Sequence, residues 1–400
     1  MQVFKRERYL ARIRPFMRKQ LIKVLTGQRR VGKSYLLRQI RDEILAEEPE
    51  AHFIELDLER FDFHHIRTAE AMYAFVAERE QEGQMNYLFV DEIQEVESFE
   101  RVLRHYHAQG NFDIYCTGSN AQLLSGELAT YLSGRQIELQ VHPLSFEEFL
   151  QFHRLEANQE SLNKYMQFGG MPYLIHLGLE REVVHEYLQA VLSAILFRDI
   201  ALRHELRDLT FLQNLTSFLA DHTGSLVSAS SISKYLKAQG LSKSIQTVVD
   251  YLTYLRQAFL VNELRRYDIK GKRIFETSSK FFFEDIGLRN VLSGFSAAGI
   301  HKVMENVVYN HLRIHNYQVY VGKLRDAEID FVTQKGDERK YIQVAYRLDS
   351  EQTIRREFGN LLAIKDNYPK MVITLEESPA TSSYQGVAHY DLLHFLQTIS

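Results

Sequence analysis

The chain has 400 residues, 45% of them hydrophobic, which is enough to bury more than one core, so a multidomain globular protein is expected. A formal net charge of -4 excludes a chain drawn as a whole to nucleic acid or acidic lipid, and the single cysteine, Cys116, excludes an internal disulfide and a cysteine-based metal site. The N-terminus carries no apolar leader and no uncharged stretch is long enough to span a bilayer, so a cytoplasmic location is expected.

The first predicted strand is the apolar run at residues 21–25, and GQRRVGKS follows it at residues 27–34. The spacing Gly-x-x-x-x-Gly-Lys-Ser between a strand and a helix is that of a P-loop. Gly27 and Gly32 let the backbone curl so that amides point inward at an anion, and the helix that begins near Lys33 adds its positive end. Lys33 is expected against the β and γ phosphates and Ser34 on Mg²⁺. Gly27, Gln28, Arg29, Arg30, Val31, Gly32, Lys33, Ser34 and Tyr35 form the expected nucleotide-binding segment. Of Arg29 and Arg30, one is expected on phosphate and the other in solvent.

Further strands are predicted at residues 53–56, 87–90, 114–116 and 137–141, alternating with helical stretches, a pattern that argues for a parallel sheet covered by helices. Asp91 and Glu92 follow the third of these five runs. Two acids ending a buried strand are costly as packing alone. Beside a P-loop they have separate tasks: Asp91 binds Mg²⁺, and Glu92 orients and deprotonates the attacking water. The fourth run ends in Thr117, Gly118, Ser119 and Asn120, polar groups placed to sense the γ phosphate, with Asn120 as the candidate contact. Cys116 is expected to be a small core residue.

From residue 145 to 222 the strand signal disappears and apolar residues recur at helical spacing, as in a helical lid; FGGMP at 168–172 reads as a turn between helices rather than a hinge. Residues 231–238 and 244–257 read as two helices with Ser242 as a cap, and 260–267 and 273–277 as two strands, together a winged helix-turn-helix. Arg265, Arg266, Lys270, Lys272 and Arg273 make the wing basic, while the second helix offers Lys243, Ser244, Gln246 and Thr247 at its start. DNA contact and a protein-docking or structural wing stand as equal alternatives.

In the last segment a helix is predicted at 302–315. Glu305 lies on it, Glu328 and Asp330 share a strand face because they are two apart, and 341–346 forms the next strand. The layout resembles the restriction-endonuclease-like fold, whose chemistry needs a metal-binding acid and a lysine two residues apart on that last strand. Gln343 and Ala345 stand there instead. Lys340 falls on the opposite face and Arg347 beyond the strand end, so neither restores the set, and a domain kept for binding rather than cleavage is expected. The paired histidines His64 with His65, and His105 with His107, have the wrong spacing for one ion, and the aromatic run 281–283 is expected to be core.

In their order, GQRRVGKS, FVDEIQ (89–94), TGSNAQLL (117–124), SGR (133–135), HPLSFEEF (142–149), FGGMP, FFFEDIGL (281–288), EIDFV (328–332) and YIQVAY (341–346) resemble prokaryotic AAA-superfamily ATPases that carry a C-terminal domain of unknown function. The resemblance covers nearly the whole chain. It implies ATP binding, a sensor strand between the P-loop strand and the acid-bearing strand, a winged helix and a nuclease-like C-terminal fold. It also implies that Arg135 stands where related ATPases place an arginine finger, which acts from a neighbouring subunit and so calls for a homo-oligomer. The expected fold is therefore α/β: a P-loop NTPase parallel sheet (1–144), a helical lid (145–222), a winged helix (223–278) and a catalytically degenerate restriction-endonuclease-like α/β domain (279–400). The expected activity is Mg²⁺-dependent hydrolysis of ATP coupled to a DNA or protein partner. A nucleotide-gated DNA-binding regulator and an ATP-controlled nuclease remain as alternatives.

Overall fold

Residues 4–121, 134–241, 243–271, 273–325, 327–376 and 382–399 are described by a computed structural model of the chain. Gln122, Leu123 and Leu124 of the TGSNAQLL motif, Ser133, Ser242, Lys272 and the side chain of Arg273 lie outside the described set. The chain divides into two compact units, Met1–His142 with Gln257–Phe259, and Pro143–Arg256 with Leu260–Ser400. The break expected near residue 144 thus falls close to the division, whereas the expected lid, winged helix and C-terminal domain share the second unit.

The first unit is built on five parallel strands, β1 (Ile22–Thr26), β2 (His52–Asp57), β3 (Asn86–Asp91), β4 (Phe112–Gly118) and β5 (Gln136–Gln140), in the order β2-β3-β4-β1-β5. Helices Lys33–Glu47, Ala69–Ala77 and Phe99–Gln109 connect them. Neighbouring residues on one strand enter different cores. Val24, Leu88 and Val90 join one apolar cluster; Leu25, Tyr87 and Phe89 join the other. A strand covered on both faces has no polar side, which is why these runs read as nearly unbroken apolar sequence. Lys23 breaks the run, yet it is fully buried, because its ammonium pairs with Asp113 of adjacent β4 and donates to the Lys19 carbonyl at 2.8 Å. Cys116 is buried in β4, and burial pushes its thiol up to about 12.

The second unit opens with helices Phe146–His153, Gln159–Phe168, Arg181–Ala194 and Leu209–Asp221; the third continues through a π-helical segment, Ile195–Leu202. Ser145 and Glu148 form a reciprocal capping box at the first of these. The FGGMP turn is locked. The Gly170 amide donates to buried Asp285 at 2.8 Å, and a Cβ on Gly169 would lie 2.5 Å from the Gly287 nitrogen, so Phe168–Pro172 and the Glu284–Leu288 stretch are pressed together at glycines on both sides.

Helices Ala229–Ala238 and Ile245–Gln257 precede the hairpin of β6 (Val261–Asp268) and β7 (Arg273–Phe283). This hairpin is not a projecting wing alone. β6 also pairs in parallel with β8 (Gln318–Leu324) through Arg266, Tyr267 and Asp268, so the hairpin closes one end of an eight-stranded sheet. The rest of that sheet is β9 (Ala327–Lys335), β10 (Glu338–Val344), β11 (Lys370–Thr374), β12 (Ser382–Tyr384) and β13 (Val387–Asp391), in the order β12-β13-β11-β10-β9-β8-β6-β7. The boundary expected between 278 and 279 falls inside β7, which runs on through the buried Phe281, Phe282 and Phe283. Helices Ile286–Ser293, Ile300–Ile314, Glu351–Leu362 and Leu392–Thr398 complete the unit. Among the described residues no helix is long and apolar enough to cross a membrane.

Candidate nucleotide-binding site

Because β1, β3 and β4 are parallel neighbours, the residues at their C-terminal ends emerge at one edge of the sheet. After β1 the backbone turns through Gly27 (φ 145°), Arg30 (φ 71°) and Gly32 (φ 94°). The helix Lys33–Glu47 then begins with no side-chain cap, which leaves its first amides for an anion. Lys33 is buried; its ammonium donates to the Gly27 and Gln28 carbonyls at 3.0 and 3.1 Å and lies 3.6 Å from Glu92 Oε1. The Gln28 side chain is fully buried, and neither of its polar atoms has a hydrogen-bond partner among the described residues.

Arg29 and Arg30 differ in their surroundings. Arg29 is largely buried, pairs with Glu59 at 3.0 Å and lowers the Glu92 carboxyl, whereas Arg30 is exposed. Val31 is buried, and its carbonyl accepts from Arg6 Nη1 at 3.0 Å; the same nitrogen reaches the His142 carbonyl at 3.0 Å. Arg6 therefore ties the loop to the chain leaving β5. Tyr35 points outward, 43% exposed, beneath the Arg38 guanidinium.

Asp91 ends β3 and meets Ser34. Burial pushes its carboxyl above the usual range, hydrogen bonds from Ser34 and Thr117 oppose the shift, and the Glu92 and Asp57 carboxylates add to it. A half-buried hydroxyl–carboxylate pair under this electrostatic load fits the donor set of Mg²⁺, a hard cation bound by oxygen. A cleft of about 160 Å³ opens beside the pair, with Arg38, Arg41, Asp57 and Arg60 in its lining.

Glu92 follows in the left-handed region, φ 56° and ψ 52°, and is 8% exposed. Burial alone raises its carboxyl, but Lys33, Gln94, Arg29 and Ser119 together outweigh it and hold the carboxyl below the usual range. It is ionised at neutral pH, the state a base requires. The Glu92 amide donates to Thr117 Oγ1 at 2.9 Å, and the Thr117 hydroxyl in turn donates to Asp91. Gln94 Nε2 donates to the Glu92 carboxylate and, at 3.3 Å, to Ser119 Oγ. Asn120 is buried two residues beyond the end of β4. Gln94 carries no signal of its own in the sequence; only the pairing of β3 with β4 reveals it.

Arg135 is not brought to this site. It precedes β5, and the register Ile22 with Gln136 sets it at the N-terminal end of the sheet, whereas the P-loop leaves from the C-terminal end of the five-residue strand β1. The separation along the strand is about 16 Å or more, too far for the side chain to serve its own P-loop. It is exposed.

In the second unit, the four polar candidates at the start of helix Ile245–Gln257 are engaged internally. Lys243 pairs with Asp208 at 2.7 Å, Gln246 donates to Asp250 at 2.8 Å, and Ser244 and Thr247 bond each other at 2.9 Å. Ile245 and Val249 of that helix are 52% and 40% exposed. Of the hairpin residues, Arg265 and Lys270 are exposed, while Tyr267 lies beneath the Arg339 guanidinium.

A model of the AAA domain matches residues 19–150, and one of a domain of unknown function (DUF8612) matches residues 159–299. An uncharacterized protein of Haemophilus influenzae is 38% identical over 378 residues, covering 92% of either chain. The uncharacterized protein MJ1544 of Methanocaldococcus jannaschii is 30% identical over 363 residues, 86% of this chain and 79% of that one. Among solved structures, the Aeropyrum pernix ORC1 protein in complex with DNA aligns over 73% of this chain and 93% of its own with 12% identity and a TM-score of 0.34.

Proposed function

The chain belongs to one family with the Haemophilus influenzae and Methanocaldococcus jannaschii proteins and carries an AAA-type P-loop ATPase domain, and on that footing we propose that it hydrolyses ATP to ADP and phosphate and passes its nucleotide state to a macromolecular partner. The convergence of Lys33, Ser34, Asp91, Glu92 and Thr117 at one sheet edge is the observation that carries this reading. Lys33 exchanges its two loop carbonyls for phosphate oxygens. Ser34 and Asp91 would hold Mg²⁺, which would supply charge neutralisation on the phosphates. Glu92 takes the proton of the attacking water, and Asn120, just past β4, senses the terminal phosphate. Arg135 acts on the site of a neighbouring copy, so the active form is a homo-oligomer.

The partner is better read as a protein than as DNA. A DNA-reading helix needs free polar side chains at its start, and here those side chains are spent on internal contacts while Ile245 and Val249, one turn apart, face outward. The exposed Arg265 and Lys270 favour the second reading, a nucleotide-gated DNA-binding regulator.

Phosphate release from Mg²⁺-ATP, measured alone and with duplex or single-stranded DNA, tests both readings. Turnover is expected in the native chain and lost in Lys33→Ala; Glu92→Gln is expected to bind ATP but to turn over roughly 100-fold or more slowly. Native rates in Lys33→Ala would sink the assignment. A DNA-stimulated rate, weakened by neutralising Arg265 and Lys270, would move the partner from protein to DNA.

A further inference from the structure

The divalent cation that a restriction-endonuclease-like domain implies does not fit the residues at the acidic centre of the second unit. Glu305 projects from helix Ile300–Ile314, Glu328 and Asp330 from β9, and their carboxylates converge on the ammonium of Lys280 in β7 at 3.2, 2.9 and 3.1 Å. The Lys280 side chain is 2% exposed, against 14% for Glu305 and 10% for Asp330. The other oxygen of Asp330 accepts the Val344 amide at 2.9 Å, and Gln343, where a second metal-binding acid would stand, accepts the Asp330 amide at 3.3 Å. Lys340 is turned away onto the Tyr317 hydroxyl and Arg347 onto Glu376. Both oxygens of Asp330 are thus spent inside the protein.

We propose that Lys280 is a tethered counter-ion in the position of a divalent cation, so that this centre is closed to metal and serves as the joint between β7, β9 and helix Ile300–Ile314. Three carboxylate oxygens around one point at about 3 Å suit an ammonium; Mg²⁺ or Mn²⁺ would need them near 2.1 Å and would have to expel a buried charge that has nowhere else to pair. Burial pushes the Glu305 carboxyl up to about 8 despite Lys280, which leaves the deeply buried pair, Lys280 with Asp330, balanced without a metal. Glu305 is also covered, whereas Glu328 is 40% exposed and leaves one side of the centre open. A Cβ on Gly224 would lie 2.7 Å from Glu305 Oε2, and the backbone there is fixed by the Gly224 amide on the Phe281 carbonyl and by the Val227–Ser279 bridge. With a φ of 74° that favours glycine, the connection into helix Ala229–Ala238 passes directly over Glu305.

Lys280 alone closes the centre, so its removal should open it. The probe is Mn²⁺ binding by equilibrium dialysis and by the electron paramagnetic resonance of the free ion, in nucleotide-free protein carrying Asp91→Ala so that the P-loop site does not contribute. With Lys280 intact no Mn²⁺ is expected to bind. Lys280→Met is expected to gain about one Mn²⁺ per chain and to lose it again when Asp330→Asn is added. Mn²⁺ bound with Lys280 in place and abolished by Asp330→Asn would overturn the proposal, as would a folded Lys280→Met that takes none. Should Lys280→Met fail to fold because Glu328 and Asp330 then face each other without a counter-ion, the double variant Lys280→Met with Glu328→Gln removes one charge and is expected to bind in its place. Failure of both variants to fold even with Mn²⁺ present would also count against it, since a ligand of the folded cage must stabilise it.

Discussion

Glu92 shows how much of the site rests on single side chains. Its left-handed backbone is a conformation that non-glycine residues avoid, and it is kept by the hydrogen bond that the Glu92 amide donates to the Thr117 hydroxyl on the adjacent strand. The same threonine hydroxyl reaches Asp91, so one residue of β4 orients both acids of β3. Gln94 does the corresponding task for the Glu92 carboxylate, which it anchors to Ser119. Gln94 touches neither the P-loop lysine nor Ser34, so Gln94→Leu should lower kcat by roughly 10-fold or more and leave the KM for ATP near its native value. A variant with unchanged kcat, or one whose defect lies in KM, would remove Gln94 as a positioning residue. Asp91 and Glu92 are legible in the sequence because two acids closing an apolar run need a reason. Gln94 is not, because a glutamine in a polar loop needs none.

At the scale of elements, the P-loop depends on a close approach that no spacing rule contains. Gly27 lies with its α-carbon against the Val141 carbonyl; a Cβ there would come within 2.2 Å of that oxygen, at a φ of 145° that side chains rarely adopt. Gly27→Ala should therefore displace the turn from the chain leaving β5, at a cost on the order of 3 kcal/mol, and abolish ATP binding. Gly83→Ala, where a Cβ would meet nothing within 4 Å, carries only the backbone strain of φ 79° and should bind ATP normally. Melting curves with and without nucleotide separate the two; equal ATP-dependent shifts in both variants would contradict the packing argument. The five strands of the first unit are readable within two residues of their observed ends, since each is a short apolar run bounded by polar turns. β7 is not. Its second half, Phe281–Phe283, lacks the alternation of a half-exposed strand because the strand is buried on both sides, so the sequence marks it as core without showing its form. Lys280 is hidden with it, since only the fold of the eight-stranded sheet brings it to Glu305, Glu328 and Asp330.

For the molecule as a whole, buried carboxyls make stability a function of pH in an unusual direction. Burial raises Asp285 to about 6 and Glu305 to about 8, both well above their ordinary values of 3.8 and 4.5. A carboxyl with a raised folded pKa binds its proton more tightly folded than unfolded, so the folded chain holds more protons between the two values and stability falls as pH rises through that window. The depressed carboxyl of Glu92 works the opposite way, but its contribution is lost only below about 4.5, on the acid side of the range. Histidines lowered by burial, such as His153 at about 4, add stability as pH rises, and that gain levels off about one unit above 6.5. From pH 6.5 to 8 the Glu305 effect is therefore read as the difference from a variant that shares both. The urea midpoint of the second unit is expected to fall across this interval in the native chain and to change much less in Glu305→Gln, which cannot ionise. Burial disfavours the Lys280 ammonium, but its carboxylates outweigh that and raise it, so it stays protonated throughout and keeps Asp330 and Glu328 as partners in the variant. The comparison then isolates the single proton on Glu305. Parallel slopes in the two proteins would mean that Glu305 is already ionised at pH 6.5 and that the joint around Lys280 holds its charges differently.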